Sequence, residues 1–471
     1  MAVGVDAHGV PMTGDADTIA LYDRAIDRLV RYHPDVVELV DALNAASDPV
    51  PMASALAAYL CLSSTDHDDL AAARMAWETM ATTAGNEREA LHREAIGAWL
   101  RGDWTGAASL LDVLLQRWPT DVLALMIGHL LDFFVGDAQS LRDRPIRSLR
   151  ELPADDPHTG FVLGMAAFGL EEAGHYSQAL DTGLAAVTAN PDDVWGIHAV
   201  IHTYEMQGRV DEGVRFLGSE ATRWENGNMF TVHNWWHLAL YHLEAGRPQQ
   251  SLDIHDAQIH HADSAGVPIE MLDGTALLWR LMLDGIDTGD RFATLAQAWT
   301  SKVAGDPWYA FNDLHAVMAL AGADRVDDAE RVIESRQGWL QSQARSDTTA
   351  TNVRMTADIG LPSCRAAVAF VEGRHEEVID LLMPIRRQLH HFGGSHAQRD
   401  ALQRTLLESA LRGHRYELAR ALTSERLGVR ESSTYSWSQR ARALRGLDEP
   451  AAAAAAEQRA VEIRDRVSAN R

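Results

Sequence analysis

The sequence predicts an all-α protein, a solenoid or superhelix of about ten antiparallel helical hairpins, and three observations carry the prediction. From about Thr18 onward apolar residues recur at i, i+3, i+4 and i+7, and the period-2 alternation of a half-buried strand is absent. In EEAGHYSQALDTGLAAVTANPDDVW, Gly174, Tyr176, Ala179, Ala186 and Pro191 stand at offsets 0, 2, 5, 12 and 17, and Gly102, Trp104, Ala107 and Pro119 repeat offsets 0, 2, 5 and 17. Further glycines follow at Gly136, Gly208, Gly246, Gly285, Gly322, Gly373, Gly413 and Gly446, with gaps mostly of 33 to 40 residues.

Each offset has a physical reason. Gly174 opens a tight turn between two antiparallel helices, the small Ala179 and Ala186 let those helices approach closely, and Pro191 ends the second one. These spacings are those of the second half of a tetratricopeptide repeat.

Taken in order, residues 1–17 are rich in Gly and Asp without periodicity and read as a loosely ordered arm. Pro49 and Pro51 part the first helices from the next. Residues 18–471 then read as one superhelical domain. The gap from Gly322 to Gly373 is 51 residues and contains SQARSDTTATNVR, so an excursion is expected near 338–360, crossing the groove as a loop. The final AAAAAAEQRAVEIRDRV reads as a helix with a polar outer face that caps the array.

Composition narrows the function. The net charge of −25 disfavours nucleic acid and anionic membrane as partners. Two cysteines, Cys61 and Cys364, are too few for a disulfide framework and read as free thiols. With no charged segment leading into an apolar run at the N-terminus and no long apolar stretch, a cytoplasmic protein is expected. A single lysine, Lys302, argues against Schiff-base or P-loop chemistry.

The polar residues that stand out are histidines. His198 and His202, followed by Glu205, and then His233 and His237 form two i, i+4 pairs lying 35 residues apart member for member, which is close to one repeat. Each pair falls on the first helix of a hairpin, where residues line the concave surface, so four imidazoles on neighbouring helices are placed to share a ligand. Counted back from the turn glycines, however, the second pair is shifted by three residues, about 60° around the helix. The functional reading is a metal site or an acid/base cluster tuned by Glu205, with His202 or His237 as base; the alternative is a set of satisfied groove histidines beside Trp235 and Trp236. Because of the register shift, and with no cysteine nearby, the sequence assigns no metal ligand and no cofactor.

Asp273, Asn312, Asp313 and His315 extend the polar lining on later inner helices. In GGSHAQRD, Ser395 and Gln398 form a capping box that starts a helix, whose free N–H groups together with Arg399 suit a carboxylate or phosphate; Arg399 is equally suited to an internal acid.

The blocks HAVIHTYEMQGRVDEGVRFL, HNWWHLALYHLEAGR, NDLHAVMAL and GGSHAQRDALQRTLLESAL resemble those of the tetratricopeptide repeat protein 38 family, in that family's order. Trp235 and Ala401-Leu402 depart from its pattern but leave the polar residues in place. The resemblance implies a degenerate superhelix and groups Asn234, Trp236 and His396 with the residues above in one site; it supplies no reaction. The expectation is a superhelix that binds a small anionic molecule or short peptide in a His/Trp-rich groove, the alternative being an enzyme that uses histidine acid/base or metal-assisted chemistry there. A protein partner is compatible with either.

Overall fold

The computed structural model describes residues 3–45, 50–83, 85–153, 155–219, 221–225, 229–343 and 349–469. The chain runs as antiparallel helix pairs. The clearest succession is Glu87–Leu100 with Trp104–Arg117, Val122–Val135 with Ala138–Ser148, Thr159–Glu172 with Tyr176–Ala189, Val194–Met206 with Val210–Ser219, and Met229–Glu244 with Pro248–Ile254. Pro268–Leu283 with Arg291–Lys302, Ala310–Gly322 with Val326–Gln343, Leu361–Val371 with His375–Leu382, His396–Arg412 with Tyr416–Val429, and Thr434–Gly446 with Pro450–Ala469 continue it. The all-α superhelix of helical hairpins is therefore the observed fold.

One turn chemistry repeats along the array. Asp103 N–H donates to Ala98 O, His175 to Leu170 O, Arg209 to Tyr204 O and Arg247 to His242 O, each bond spanning a left-handed residue that closes the inner helix. At Gly102, Gly136, Gly174, Gly208, Gly246, Gly285 and Gly373 that residue is the expected glycine. The expectation is corrected at Gly322, Gly413 and Gly446, where the left-handed residues are Asp324, His414 and Asp448 at φ 60°, 59° and 59°. Short polar side chains tolerate this region, so the turn forms one or two residues beyond the glycine.

The N-terminal arm is ordered where it is described. Val3–Val5 and Pro11–Thr13 pair as an antiparallel hairpin, with Val3 opposite Thr13. Its turn holds because Asp6 accepts from the N–H groups of His8 and Val10, both at 3.0 Å. Val10 and Met12 are buried, and Glu89 accepts from both the N–H and the Oγ1 of Thr13 at 2.7 Å. Three-residue strands are too short to announce themselves by alternation, which is why the segment reads as an arm.

The superhelix closes on itself. Lys302 Nζ reaches Asp66 Oδ2 at 2.6 Å, and Asn312 Nδ2 donates to Thr65 O at 3.0 Å. Of the expected excursion, residues 344–348 lie outside the described residues; beyond them Thr351 N–H donates to Gly102 O at 2.8 Å, docking on an early turn. Glu244 Oε1 accepts from Ser433 Oγ at 2.8 Å and from Tyr435 N–H at 3.1 Å. The helix His396–Arg412 packs on Pro268–Leu283, with Trp279 Nε1 donating to Thr405 Oγ1 at 2.9 Å. Later hairpins thus cover the concave face of earlier ones and leave an enclosed interior in place of an open groove. No helix of the described residues is long and apolar enough to cross a membrane.

Candidate metal centre

The two histidine pairs sit on adjacent inner helices, Val194–Met206 and Met229–Glu244. Asp193 caps the first by accepting from Trp195 N–H at 3.1 Å, which sets where the helix starts and hence which face His198 and His202 share. The shift counted from the turn glycines does not separate the rings: the second helix has 16 residues against 13, and the extra turn lies beyond the histidines, toward Gly246. His198 stands level with His233 and His202 with His237, at centroid separations of 4.9 and 4.4 Å. The four rings converge so that one nitrogen from each lies within 4.8 Å of the others.

Carboxylates stand behind three of the rings. Glu205 Oε2 lies 2.8 Å from His237 Nδ1, Asp273 Oδ2 2.8 Å from His233 Nδ1, and Glu171 Oε2 3.6 Å from His202 Nδ1. An ionised carboxylate accepts only, so Glu205 and Asp273 place the protons of His237 and His233 on Nδ1. With both rings neutral, both Nε2 atoms present lone pairs, and they face each other at 3.2 Å. Two acceptors at that distance repel unless a cation lies between them. Ligands about 2.0 to 2.1 Å from a tetrahedral ion stand about 3.3 Å apart, close to the spacing found here.

The electrostatics keep the His198, His202 and His237 rings neutral. Burial lowers the His198 and His237 pKa values well below the usual histidine range, with the neighbouring imidazoles adding to the effect. His202 is lowered to about 4, again by burial, against the opposing pull of Glu205 and Glu172. Both nitrogens of His198 and His202, both oxygens of Glu171 and both polar atoms of Asn234 are buried without a hydrogen-bond partner among the described residues. Such groups cost stability unless something else satisfies them. His233 stacks on Trp236 at 5.1 Å, and Arg280 lies over the same indole at 5.4 Å, its charge held by Ala276 O and Ala397 O.

An apolar cavity of about 110 Å³ adjoins the cluster, with His198 and His233 in its wall. Phe168, Trp195 and Phe230 collar that part, Trp195 and Phe230 meeting edge to face at 4.7 Å. Ser395 and Gln398 also line it.

The remaining sequence candidates are engaged elsewhere. Asn312 ties the inner helix to Thr65, and His315 Nδ1 lies 2.8 Å from Phe311 O, its ring 4.5 Å from that of Phe311. Asp313 binds Arg336 at 2.7 Å. The anion cradle at the start of His396–Arg412 exists, and its anion is internal: Glu172 Oε1 accepts from His396 N–H at 2.7 Å, and Oε2 from Arg399 Nη2 at 3.0 Å. Burial would raise the Glu172 carboxyl, but His396 and Arg399 hold it down at about 2. Arg399 is thereby spent, and an external carboxylate or phosphate would have to displace Glu172.

Glu171 and Glu172 were not singled out by the sequence reading, although a signal existed. Glu171 lies three residues before Gly174, as Glu205 lies three before Gly208, so both carboxylates occupy the same place in successive repeats.

No family model matches the chain. Among solved structures it is similar to the human IFIT1 dimer with PPP-AAAA, at 12% identity over 98% of this chain and 96% of that one, TM-score 0.38. Yeast Tom70 is similar at 9% identity over 81% of this chain and 96% of that one, TM-score 0.26. Naa15/Naa10 bound to HypK-THB is similar at 12% identity over 95% of this chain and 64% of that one, TM-score 0.24. The expected exclusion of nucleic acid is corrected by this comparison, since IFIT1 is described with m7Gppp-AAAA as well as with PPP-AAAA. The physical reason is that a chain's net charge does not fix the potential inside a superhelix.

Proposed function

We propose that the chain is a metalloprotein in which His198, His202, His233 and His237 bind one transition-metal ion and use it on a small molecule held in the adjoining cavity. The metal-assisted alternative is thus preferred to the binding of an anion or peptide, and the sequence assignment of no metal ligand and no cofactor is revised. The observation that carries this reading is the pair of Nε2 atoms 3.2 Å apart whose protons Glu205 and Asp273 direct to the far side of each ring.

Imidazole donors suit zinc, copper, iron or nickel over magnesium or calcium. Four imidazoles fill a tetrahedral ion, so a substrate carbonyl oxygen or water would enter as a fifth ligand; the neutral donors leave the ion's charge unquenched, and it would then polarise that carbonyl or lower the pKa of that water. Glu205 and Asp273 would hold the rings in place and raise their basicity. His198 lacks a carboxylate contact at hydrogen-bond distance and faces the cavity, so that side of the centre is where a substrate atom would approach. Elemental mass spectrometry on protein prepared without chelator should give one equivalent of metal per chain, absent from a His233→Ala/His237→Ala variant that remains helical. A wild-type protein that takes up no stoichiometric zinc, copper, iron, nickel or cobalt on reconstitution sinks the reading.

A further inference from the structure

We infer that the substrate of this centre is an uncharged, predominantly apolar molecule carrying one oxygen donor, with about five of its non-hydrogen atoms enclosed in the cavity beside His198 and His233. The inference rests on the metal reading for the placement of the donor, while the apolar class rests on the cavity alone.

The wall supplies the chemistry. It is built from Tyr32, Leu56, Met126, Phe134, Leu272 and similar side chains, with no lysine, arginine, aspartate or glutamate among the lining residues. A charged ligand would lose its hydration there without a partner, whereas an apolar one gains by leaving water. Most of the polar side chains in the wall are already committed. Ser395 and Gln398 bond each other's backbone in the capping box, Tyr59 bonds His92, Tyr309 donates to Phe134 O, and Thr65 accepts from Asn312. What is left over is the imidazole nitrogens of His198, the indole N–H of Trp195 and the hydroxyl of Ser63, all buried and without a partner among the described residues, together with the hydroxyl of Tyr32 further along the wall. His198 and Trp195 lie together, ring centroids 5.2 Å apart, beside the metal cluster. One hydrogen-bonding or metal-binding group on the ligand is therefore provided for at this place.

Size follows from the volume. A cavity of about 110 Å³ is smaller than the ~150 Å³ cavity that accommodates benzene, so it encloses on the order of five heavy atoms, and the rest of a longer chain would extend past its margin. Leu60, Leu130, Phe133 and Ile269 are only partly buried and form the margin by which it would enter.

The experiment titrates the full chain, metal-loaded and chelator-treated, with straight-chain primary alcohols from methanol to dodecanol, with octanoate and with octylammonium, following tryptophan fluorescence and calorimetry. Affinity should rise roughly fourfold per methylene and then break near about five heavy atoms, where the chain outgrows the enclosed space. Octanoate and octylammonium should bind at least tenfold more weakly than octanol, and Leu130→Trp or Ile269→Trp should abolish octanol binding while metal content stays at the wild-type value. Tighter binding of octanoate than octanol, octanol binding that survives both tryptophan variants in folded protein, or no binding of any alcohol overturns the inference. Octanol binding with the expected chain-length break in a protein that takes up no metal upholds the apolar class and removes the metal reading instead.

Discussion

Glu172 and Arg399, 227 positions apart in the chain, meet at 3.0 Å in the interior, where the carboxylate also caps the helix that begins at His396. The pair joins an early repeat to a late one and so fastens the closed form of the superhelix. Removing one partner leaves the other charged and buried, a loss of about 3 to 5 kcal/mol. Glu172→Ala and Arg399→Ala should each lower the urea midpoint accordingly, and the double variant should cost less than their sum. Strict additivity in the cycle would mean that the two residues are not coupled.

A second prediction concerns acid. Burial lowers His129 to about 3, with Arg144 adding to the effect. Its ring packs edge-on against Phe168 and Trp195, at 6.2 and 5.4 Å. Unfolded, the same residue titrates near 6.5, so between that value and about 3 the unfolded chain holds the extra proton. Stability therefore falls as pH falls through this window, by about 1.4 kcal/mol per pH unit for this group. His129→Phe keeps the ring contacts and removes the proton site; its unfolding free energy between about pH 6 and 4 should be flatter by that slope. An unchanged slope would show that His129 is protonated in the folded protein.

These residues also mark how far the sequence could be read. The repeat was legible because turn chemistry is local: Gly102 and Gly174 announce a left-handed turn within a few residues of the pattern they close. Asp324, His414 and Asp448 do the same job without the glycine signature, which is why the ladder drifts by one or two positions there. The histidine pairs were legible through i, i+4 spacing, and Glu205 and Asp273 through their places on neighbouring inner helices. The role of Arg399 was not, since whether it meets a ligand or an internal acid depends on Glu172, and no local pattern links residues so distant. The three-residue register shift pointed away from convergence because the turn glycine is a poor ruler when one helix is longer than its neighbour.

The turn glycines themselves separate two costs. Gly174 has φ +82° and open space where a Cβ would be, so Gly174→Ala should lose only the backbone term, about 1 to 2 kcal/mol. Gly136 has φ +72°, and a Cβ there would fall 1.7 Å from His390 O. Since that atom is backbone, the two segments must part, and Gly136→Ala should cost at least about twice as much as Gly174→Ala. Thermal melts of the two variants make the comparison; equal shifts would mean that the contact of Gly136 with His390 is not maintained in solution.

The last prediction separates a metal centre from a cluster of buried histidines that merely pack. If the rings are ligands, the carboxylates behind them act through them, by fixing the tautomer and strengthening the donor nitrogen. Glu205→Gln and Asp273→Asn keep size and still accept a hydrogen bond, but no longer do so with a full charge. Each should weaken metal affinity about 10- to 100-fold in a chelator competition. His315→Gln is the control, because His315 has the same residue type on an inner helix yet contacts Phe311 and not the cluster. Its metal affinity should match the wild type. Were all three variants to bind metal alike, or were His315→Gln the one that loses it, Glu205 and Asp273 would be partners of the fold and not of an ion.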